Sequence, residues 1–373
     1  METSQPYGVN RGRSIAAVSF AHVLPSRYSL CRGESTRSCN RAVHRGLSLR
    51  VVHDLENLTP PLSRSVLTIG NFDGVHRAHQ QLLAQAGLFA ANTGGPVTVL
   101  TFEPHPLTIV APHKAPPLLS TPDEKLRLLA EAGAEITVVA RSDAALLSLE
   151  AERFVRDIIR KKFQPTHIVE GPSFGFGRGR RGNAELLRRL AAEFDCEVHI
   201  VQPITLQIDE GDTMLVSSSL IRRLIAEGEV RRAALCLGRP YALIGVVVEG
   251  ERRGRTLGFP TVNMGRIEQL VPRHGVYAGR AMIDSQIHAA AISIGQSPTF
   301  AGQVERVEAH LLDFDDEVYG RPVRLEFHRF LRDQHKFESA TLLVEQLRAD
   351  VRAVRQWDHA AEGGFSSAIE TGP

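Results

Sequence analysis

Around Gly238 the hydrophobic pattern of this chain changes period, and that change limits the folds open to it. From Val66 to about Ile204, short apolar runs alternate with amphipathic stretches. The runs are Val66–Ile69, Val97–Phe102, Ile136–Val139, His167–Val169 and Glu197–Val201; the stretches include Pro122–Ala132 and Ala151–Lys162. Strands alternating with helices predict an α/β domain with a doubly wound parallel sheet. Two helical stretches, Ser218–Ala226 and Glu229–Leu237, then lead to Gly238-Arg-Pro-Tyr241. Beyond it, Ala242–Val248, Gly275–Ile283, Ile287–Ile294, Glu308–Asp313 and Val323–Phe330 follow one another with no helix between. That succession predicts an antiparallel β-barrel. The chain closes on an amphipathic helix over Ser339–Trp357, with Leu342, Leu343, Val344 and Leu347 on its inner side.

A length of 373 residues suits two domains. The boundaries read as 1–50 for a leader or a misassigned start, 51–235 and 236–357 for the domains, and 358–373 for a tail. The first fifty residues carry eight Arg and eight Ser against two acids, Glu2 and Glu34, the composition of a disordered or targeting segment. A net charge of +2 makes no case for nucleic acid or a membrane surface, and no apolar run reaches the length of a membrane span. Cys31, Cys39, Cys196 and Cys236 form no C-x-x-C pair, so a reducing, cytoplasmic setting is the simplest expectation. A monomer or weak homo-oligomer is expected.

The chemistry-bearing residues gather at strand ends. Gly70-Asn-Phe-Asp-Gly-Val-His-Arg-Ala-His79 lies between an apolar run and a helical stretch from Gln80. A glycine-rich turn there aims backbone N–H groups at phosphates. His76 and His79, three apart at a helix start, project to one side. They could carry positive charge or donate hydrogen bonds to oxygens that gain charge in phosphoryl transfer. Glu103-Pro-His-Pro106 and Glu170-Gly171 end two further strands, so three motifs converge on the sheet edge where α/β folds bind ligands. Gly171-Pro-Ser-Phe-Gly-Phe-Gly-Arg-Gly-Arg-Arg-Gly182 is a glycine- and arginine-rich loop suited to an anion. In Val216-Ser-Ser-Ser-Leu-Ile-Arg-Arg223, Ser217 or Ser218 is a plausible N-cap. In the second half, Gly254-Arg-Thr-Leu-Gly-Phe-Pro-Thr-Val-Asn263 joins loop-forming glycines to a hydroxyl and an amide carbonyl, hard oxygen ligands suited to Mg²⁺.

Taken alone, each of these is ordinary punctuation or a capped helix. Together, in order and over roughly residues 49–357, they resemble the bacterial bifunctional riboflavin kinase/FMN adenylyltransferase (FAD synthetase) family. The His76–His79 segment is similar to the H-x-G-H signature of nucleotidylyltransferases, and Gly254–Asn263 to the flavokinase G-R-x-L-G-F-P-T-x-N. The resemblance implies ATP, riboflavin and FMN as substrates with Mg²⁺ as metal. It implies His76, His79 and Arg222 as the catalytic groups of adenylylation, and Glu308, in Val307-Glu-Ala-His-Leu-Leu-Asp-Phe314, as the base of the kinase. Gly70, Asn71, Phe72, Asp73, Gly74, Ser173, Phe174, Phe176, Ser217 and Ser218 would line the first site. Gly254, Arg255, Gly258, Pro260 and Arg332 would line the second, with Thr261 and Asn263 on the metal. Leu331-Arg-Asp-Gln-His-Lys-Phe337 would cover the isoalloxazine ring.

Two positions depart from the family pattern. Ala78 stands where the superfamily has glycine against the adenine, and Ser173 where the family has Asp or Asn. These carry the alternative of a riboflavin kinase with a degenerate adenylyltransferase domain. A non-catalytic flavin-binding regulator is a further alternative, against which intact Thr261, Asn263 and Glu308 speak.

Overall fold

The structure is a computed structural model that describes residues 49–364 except 210–211, 251–253, 255–256 and 300–301. The backbone alone is described at 208–209, 212, 297–299, 302–304 and 360–364. The expected leader, all but its last two residues, and Arg255 lie outside the described residues.

Six strands form the first layer: β1 (Arg50–His53), β2 (Ser65–Ile69), β3 (Val97–Glu103), β4 (Ile136–Arg141), β5 (Pro165–Glu170) and β6 (Glu197–Ile200). All neighbours are parallel, in the order β1-β4-β3-β2-β5-β6. β2 is buried at all five positions because helices cover both faces, and its Ser65 hydroxyl is satisfied by the Phe163 carbonyl at 2.8 Å. From β2 the chain winds first toward β3 and β4, then returns to β5 on the other side. The switch point therefore falls between β2 and β5, where a crevice opens beyond the carboxyl ends.

Several differences from the sequence reading concern element type or existence, among them the short barrel strand at Val262–Gly265. β1 was not expected; four residues with one buried side chain carry little periodic signal, and parallel pairing with β4 makes the strand. The single helix expected over Ala151–Lys162 is α-helical only at Ala151–Arg153 and continues as a π-helix over Phe154–Phe163. The wider turn brings Phe154, Ile159 and Phe163 into the core together, at spacings of five and four. A short antiparallel hairpin, β7 (Thr205–Asp209) with β8 (Asp212–Leu215), was also not read from the pattern.

After the helices Ser218–Ala226 and Val230–Leu237, the remaining strands close a barrel. They are β9 (Tyr241–Val248), β10 (Val262–Gly265), β11 (Gly275–Ile283), β12 (Gln286–Thr299), β13 (Gly302–Leu311) and β14 (Pro322–Arg332). The ring order is β10-β13-β12-β11-β14-β9, and β9 pairs with β10 to close it. Alternation assigns the faces. Val307, Ala309 and Leu311 of β13 point into the barrel, so Arg306, Glu308 and His310 point out.

The C-terminal helix runs Ala340–Gly364, past the expected end at Trp357 and through the first residues of the expected tail. Its inner line is Leu343, Leu347 and Val351, half-buried, with Asp350 and Val354 buried, whereas Leu342 is exposed and leaves the expected inner face. The two halves share one apolar core, in which Leu119 and Leu220 meet Leu243 and Tyr277.

Candidate functional site

The turn after β2 is held in a conformation that its sequence alone would resist. Phe72, Gly74 and Val75 all adopt positive φ, at 48°, 77° and 37°. For a β-branched residue such as Val75 this costs about 1–3 kcal/mol and persists only when its surroundings over-determine it. They do. The Asp73 carboxylate accepts from the Leu119 and Ser120 amides, the Ser120 hydroxyl and the Arg222 guanidinium. Ser120 Oγ also accepts from the Gly74 amide at 3.1 Å. The Arg239 guanidinium donates to the Gly74 and Val75 carbonyls at 2.6 and 3.3 Å, and Gln80 Nε2 to Val75 at 2.9 Å. Phe72 is buried in the core under the turn. Of the five turn residues expected to touch a ligand, Phe72 and Asp73 thus have side chains spent on shaping the turn.

His76 stands at the N-cap position of the helix Arg77–Thr93 without a side-chain capping bond, and its ring stacks on His79 with centroids 3.6 Å apart and planes at 16°. Phe72 lies 4.9 Å from the His79 ring. The Nδ1 atoms of both histidines are enclosed without a hydrogen-bond partner. Burial lowers the pKa of His76 to about 4, assisted by the Arg239 charge. Burial, then the neighbouring His76, brings His79 well below the usual histidine range. Both rings are thereby kept neutral at neutral pH.

Arg222 donates from Nε to the Pro117 carbonyl at 2.7 Å as well as to Asp73, which fixes its guanidinium beside the turn. Ser217 is the N-cap, accepting from the Leu220 amide, while Ser218 donates to the Asp73 carbonyl at 3.2 Å. In the glycine-arginine loop, Phe176 is core, 5% exposed and 6.0 Å from Phe154, with Phe174 stacked beside it. Phe176 is therefore a loop anchor and presents no ring to the crevice. Ser173 is exposed, and its carbonyl accepts from Arg180 at 2.9 Å. Ala78 packs on the core shared with the barrel.

Two residues of this edge were not assigned roles from the sequence. His105 accepts from the Leu107 amide at Nδ1 and contacts the Asn71 amide through Nε2 at 3.0 Å. The Asn71 atom in this contact is Nδ2. Glu170 is 2% exposed and accepts from the Ile69 amide at 2.6 Å, linking β5 to β2 at the switch point. Burial raises its pKa well above the carboxylate range. Both residues lay in the quoted strand ends, but burial and partners are not readable from spacing.

The second site is a cleft of about 500 Å³ on the outer face of the barrel. Its floor is a row across three strands, Asn263 of β10, Glu308 of β13 and Ser293 of β12, in direct register. Thr261 stands just before β10 on the same wall. The loop that precedes it closes tightly: the Gly254 carbonyl accepts from the Leu257 and Phe259 amides, and Gly258 has φ of 82°. A Cβ on Gly254 would lie 2.3 Å from the Phe259 oxygen, so only glycine fits. His310 Nδ1 donates to the Pro260 carbonyl at 2.8 Å and pins the loop to β13. Alternation with Glu308 on one strand face was the signal that could have found it.

Residues 331–337 roof this cleft. Arg332 pairs bidentately with buried Asp350 of the C-terminal helix, at 2.9 and 2.7 Å, and Gln334 Nε2 donates to Ser293 Oγ at 2.9 Å. Phe337, Leu343 and Leu347 supply an apolar wall. Thr261, Asn263, Glu308, Gly254 and Arg332, picked separately from the sequence, thus line one cavity. Cys196 and Cys236 are buried free thiols remote from it.

Comparison with known proteins agrees with this division. The FAD synthetase family model matches residues 59–218 and the riboflavin kinase model residues 237–358. A bifunctional riboflavin kinase/FMN adenylyltransferase of Escherichia coli K12 is 34% identical over 311 residues, 83% of this chain and 98% of the relative. The protein of the same name from Bacillus subtilis is 32% identical over 310 residues, 81% and 95% of the two chains. A solved structure described as a macrolide-efflux protein from Streptococcus pneumoniae is 32% identical with a TM-score of 0.73, over 83% of this chain and 99% of that one. Among the described residues no helix is long and apolar enough to cross a membrane. With a kinase-type cleft on its barrel, a phosphate-type turn on its sheet and relatives matched along nearly their whole length, the chain belongs to the bifunctional riboflavin kinase/FMN adenylyltransferase family of transferases.

Proposed function

We propose that the two reactions of the family are divided between two units, residues 51–235 and 236–357, with the residue roles as follows. In the barrel cleft, Glu308 accepts the proton of the ribityl 5′-hydroxyl of riboflavin as that oxygen attacks the γ-phosphorus of ATP. Asn263 and Ser293, opposite Glu308 on either side, hold the row in which the hydroxyl must lie. The Thr261 hydroxyl and Asn263 carbonyl are hard oxygen donors on one wall, a set that suits Mg²⁺. When bound, Mg²⁺ would neutralise charge on the β- and γ-phosphates. Phe337, Leu343 and Leu347 give the isoalloxazine ring an apolar surface.

At the sheet edge, the FMN phosphate attacks the α-phosphorus of ATP and pyrophosphate leaves, so no nucleophilic side chain is needed. His76 and His79 donate from the Nε2–H of their neutral rings to oxygens of the pentavalent phosphate, their Nδ1 atoms being enclosed. Arg222 sits beside them at a fixed orientation set by Asp73 and Pro117. The turn Gly70–Gly74 supplies backbone donors. Phosphoryl transfer asks for positioning and electrostatic stabilisation more than covalent chemistry, and these residues provide both.

The observation that carries the reading is the convergence of Thr261, Asn263 and Glu308 on one cleft while the unpartnered imidazoles stand at the other. The test is incubation of the purified chain with riboflavin, ATP and Mg²⁺, followed by chromatographic separation of flavins. FMN followed by FAD is expected. FMN alone would assign Ala78 and Ser173 a disabling role, and neither product would defeat the assignment.

A further inference from the structure

We infer that His167, Glu197 and His199 form a binding site for a borderline divalent cation of the zinc type, separate from both reaction sites. β5 and β6 are adjacent and parallel, with His167 opposite Glu197 and Val169 opposite His199. Residues two apart on a strand share a face, so one carboxylate and two imidazoles meet on the sheet surface under the helix Arg77–Thr93. One ligand atom from each lies within 4.8 Å of the others. His167 lies about 10 Å along β5 from Glu170, whereas His199 stands level with Val169, one residue before the end of β6.

Each group is arranged as a ligand would require. His199 Nε2 is enclosed and makes no hydrogen bond, and its nearest charged neighbour is Glu197 Oε2 at 3.5 Å. His167 Nδ1 is 3.0 Å from the Thr166 hydroxyl, an outer contact that leaves Nε2 for a metal. Phe89 stacks on both rings, with centroids at 4.9 and 4.0 Å, and holds them nearly parallel. Glu197 is largely exposed, so the site opens to solvent on one side. Two nitrogens and a carboxylate oxygen, with water in a fourth position, is the donor set of open zinc sites. Mg²⁺, which favours oxygen ligands in octahedral geometry, would not compete there.

The experiment uses the full chain, stripped with a chelator and titrated with Zn²⁺ against a chromophoric chelator in excess Mg²⁺. Wild type is expected to take up about one equivalent more Zn²⁺ than the His167→Phe/His199→Phe double variant, in which aromatic rings keep the stack on Phe89. Glu197→Gln, at an exposed position, should weaken uptake roughly tenfold or more, since even outer contacts of metal sites are worth 10–100-fold. Zn²⁺ should raise the melting temperature of wild type and not of the double variant. Equal uptake by wild type and both variants, or no uptake by wild type, would overturn the assignment and leave the three rings as packing.

Discussion

At the scale of single residues, the question is what two buried imidazoles can offer a phosphate. Both rings are stacked at 3.6 Å with Nδ1 unpartnered, and a pair of imidazolium ions so close and so buried would repel. Neutral donors remain. Gln places an amide nitrogen near the Nε2 position, whereas Ala removes it. His76→Ala is therefore expected to lower the rate of FMN adenylylation by about 10²–10³-fold, the usual cost of one transition-state donor, and His76→Gln to recover part of it. Riboflavin phosphorylation should be unaffected in both, which separate assays of the two steps would check. Glu308→Gln is expected to do the reverse, cutting FMN formation by at least about 10²-fold while FMN supplied directly is still converted to FAD. A variant that kept FMN formation would remove Glu308 as the base. These residues were singled out through the resemblance to the family, whose motifs are local signals of glycine spacing and hydroxyl-amide pairs. The inward turn of Asp73 and the core position of Phe176 were not, since both depend on partners, Ser120, Arg222 and Phe154, that are distant in the chain.

At the scale of elements, strands were legible wherever burial was two-sided. The expected strand at Val66–Ile69 became Ser65–Ile69, and Gly275–Ile283 matched end to end. β1 and β10, four residues each, are defined by their neighbours and left no readable period. The π-helix at Phe154–Phe163 is a further case, because its five-residue spacing of buried side chains is nearly that of an α-helix over so short a span. Glu170 shows what such packing does to a titratable group. It ties the end of β5 to Ile69 of β2, and burial keeps its carboxyl protonated far above the usual carboxylate range. The folded chain thus holds a proton that the unfolded chain releases. Stability must fall as pH rises from the unfolded carboxylate pKa toward the raised folded value. Glu170→Gln keeps an oxygen for the Ile69 amide and removes the titration. Its melting temperature is expected to exceed that of wild type at pH 8 and to converge with it near pH 4. Each 1 kcal/mol regained would appear as about 2–4 °C in a melting scan. Parallel pH profiles for the two proteins would show that Glu170 is ionised in the fold.

At the scale of the whole molecule, the two units cannot be treated as beads on a string. Gly238-Arg-Pro-Tyr241 reads as a boundary in the sequence, yet Arg239 reaches back to the phosphate-type turn and donates to Gly74, Val75 and Leu237 carbonyls. Leu270 donates to the Leu118 carbonyl, and Arg324 of the barrel pairs with Glu124 and shares that carboxylate with Arg127. A residue matched by the kinase model thus shapes the turn matched by the FAD synthetase model. No local pattern could reveal this, because a lone arginine after a glycine carries no mark of where its guanidinium goes. The Arg239 guanidinium is desolvated enough that its pKa falls to about 10, and of its three carbonyl partners Val75 and Leu237 also accept from Gln80 Nε2. Arg239→Ala should leave the Gly74 carbonyl short of this donor and release the positive φ of Val75, which its surroundings now enforce. The stacked histidines follow directly on that turn. FAD formation from FMN is therefore expected to fall at least about tenfold, from a residue that lies outside the adenylylation site, as the loss of orientation accumulates. FMN formation in the barrel cleft, far from Arg239, should stay within about twofold, since none of its lining changes. A matched loss of both activities would mean that Arg239 supports the fold as a whole. No loss of either would mean that Asp73 and its partners hold the turn without it.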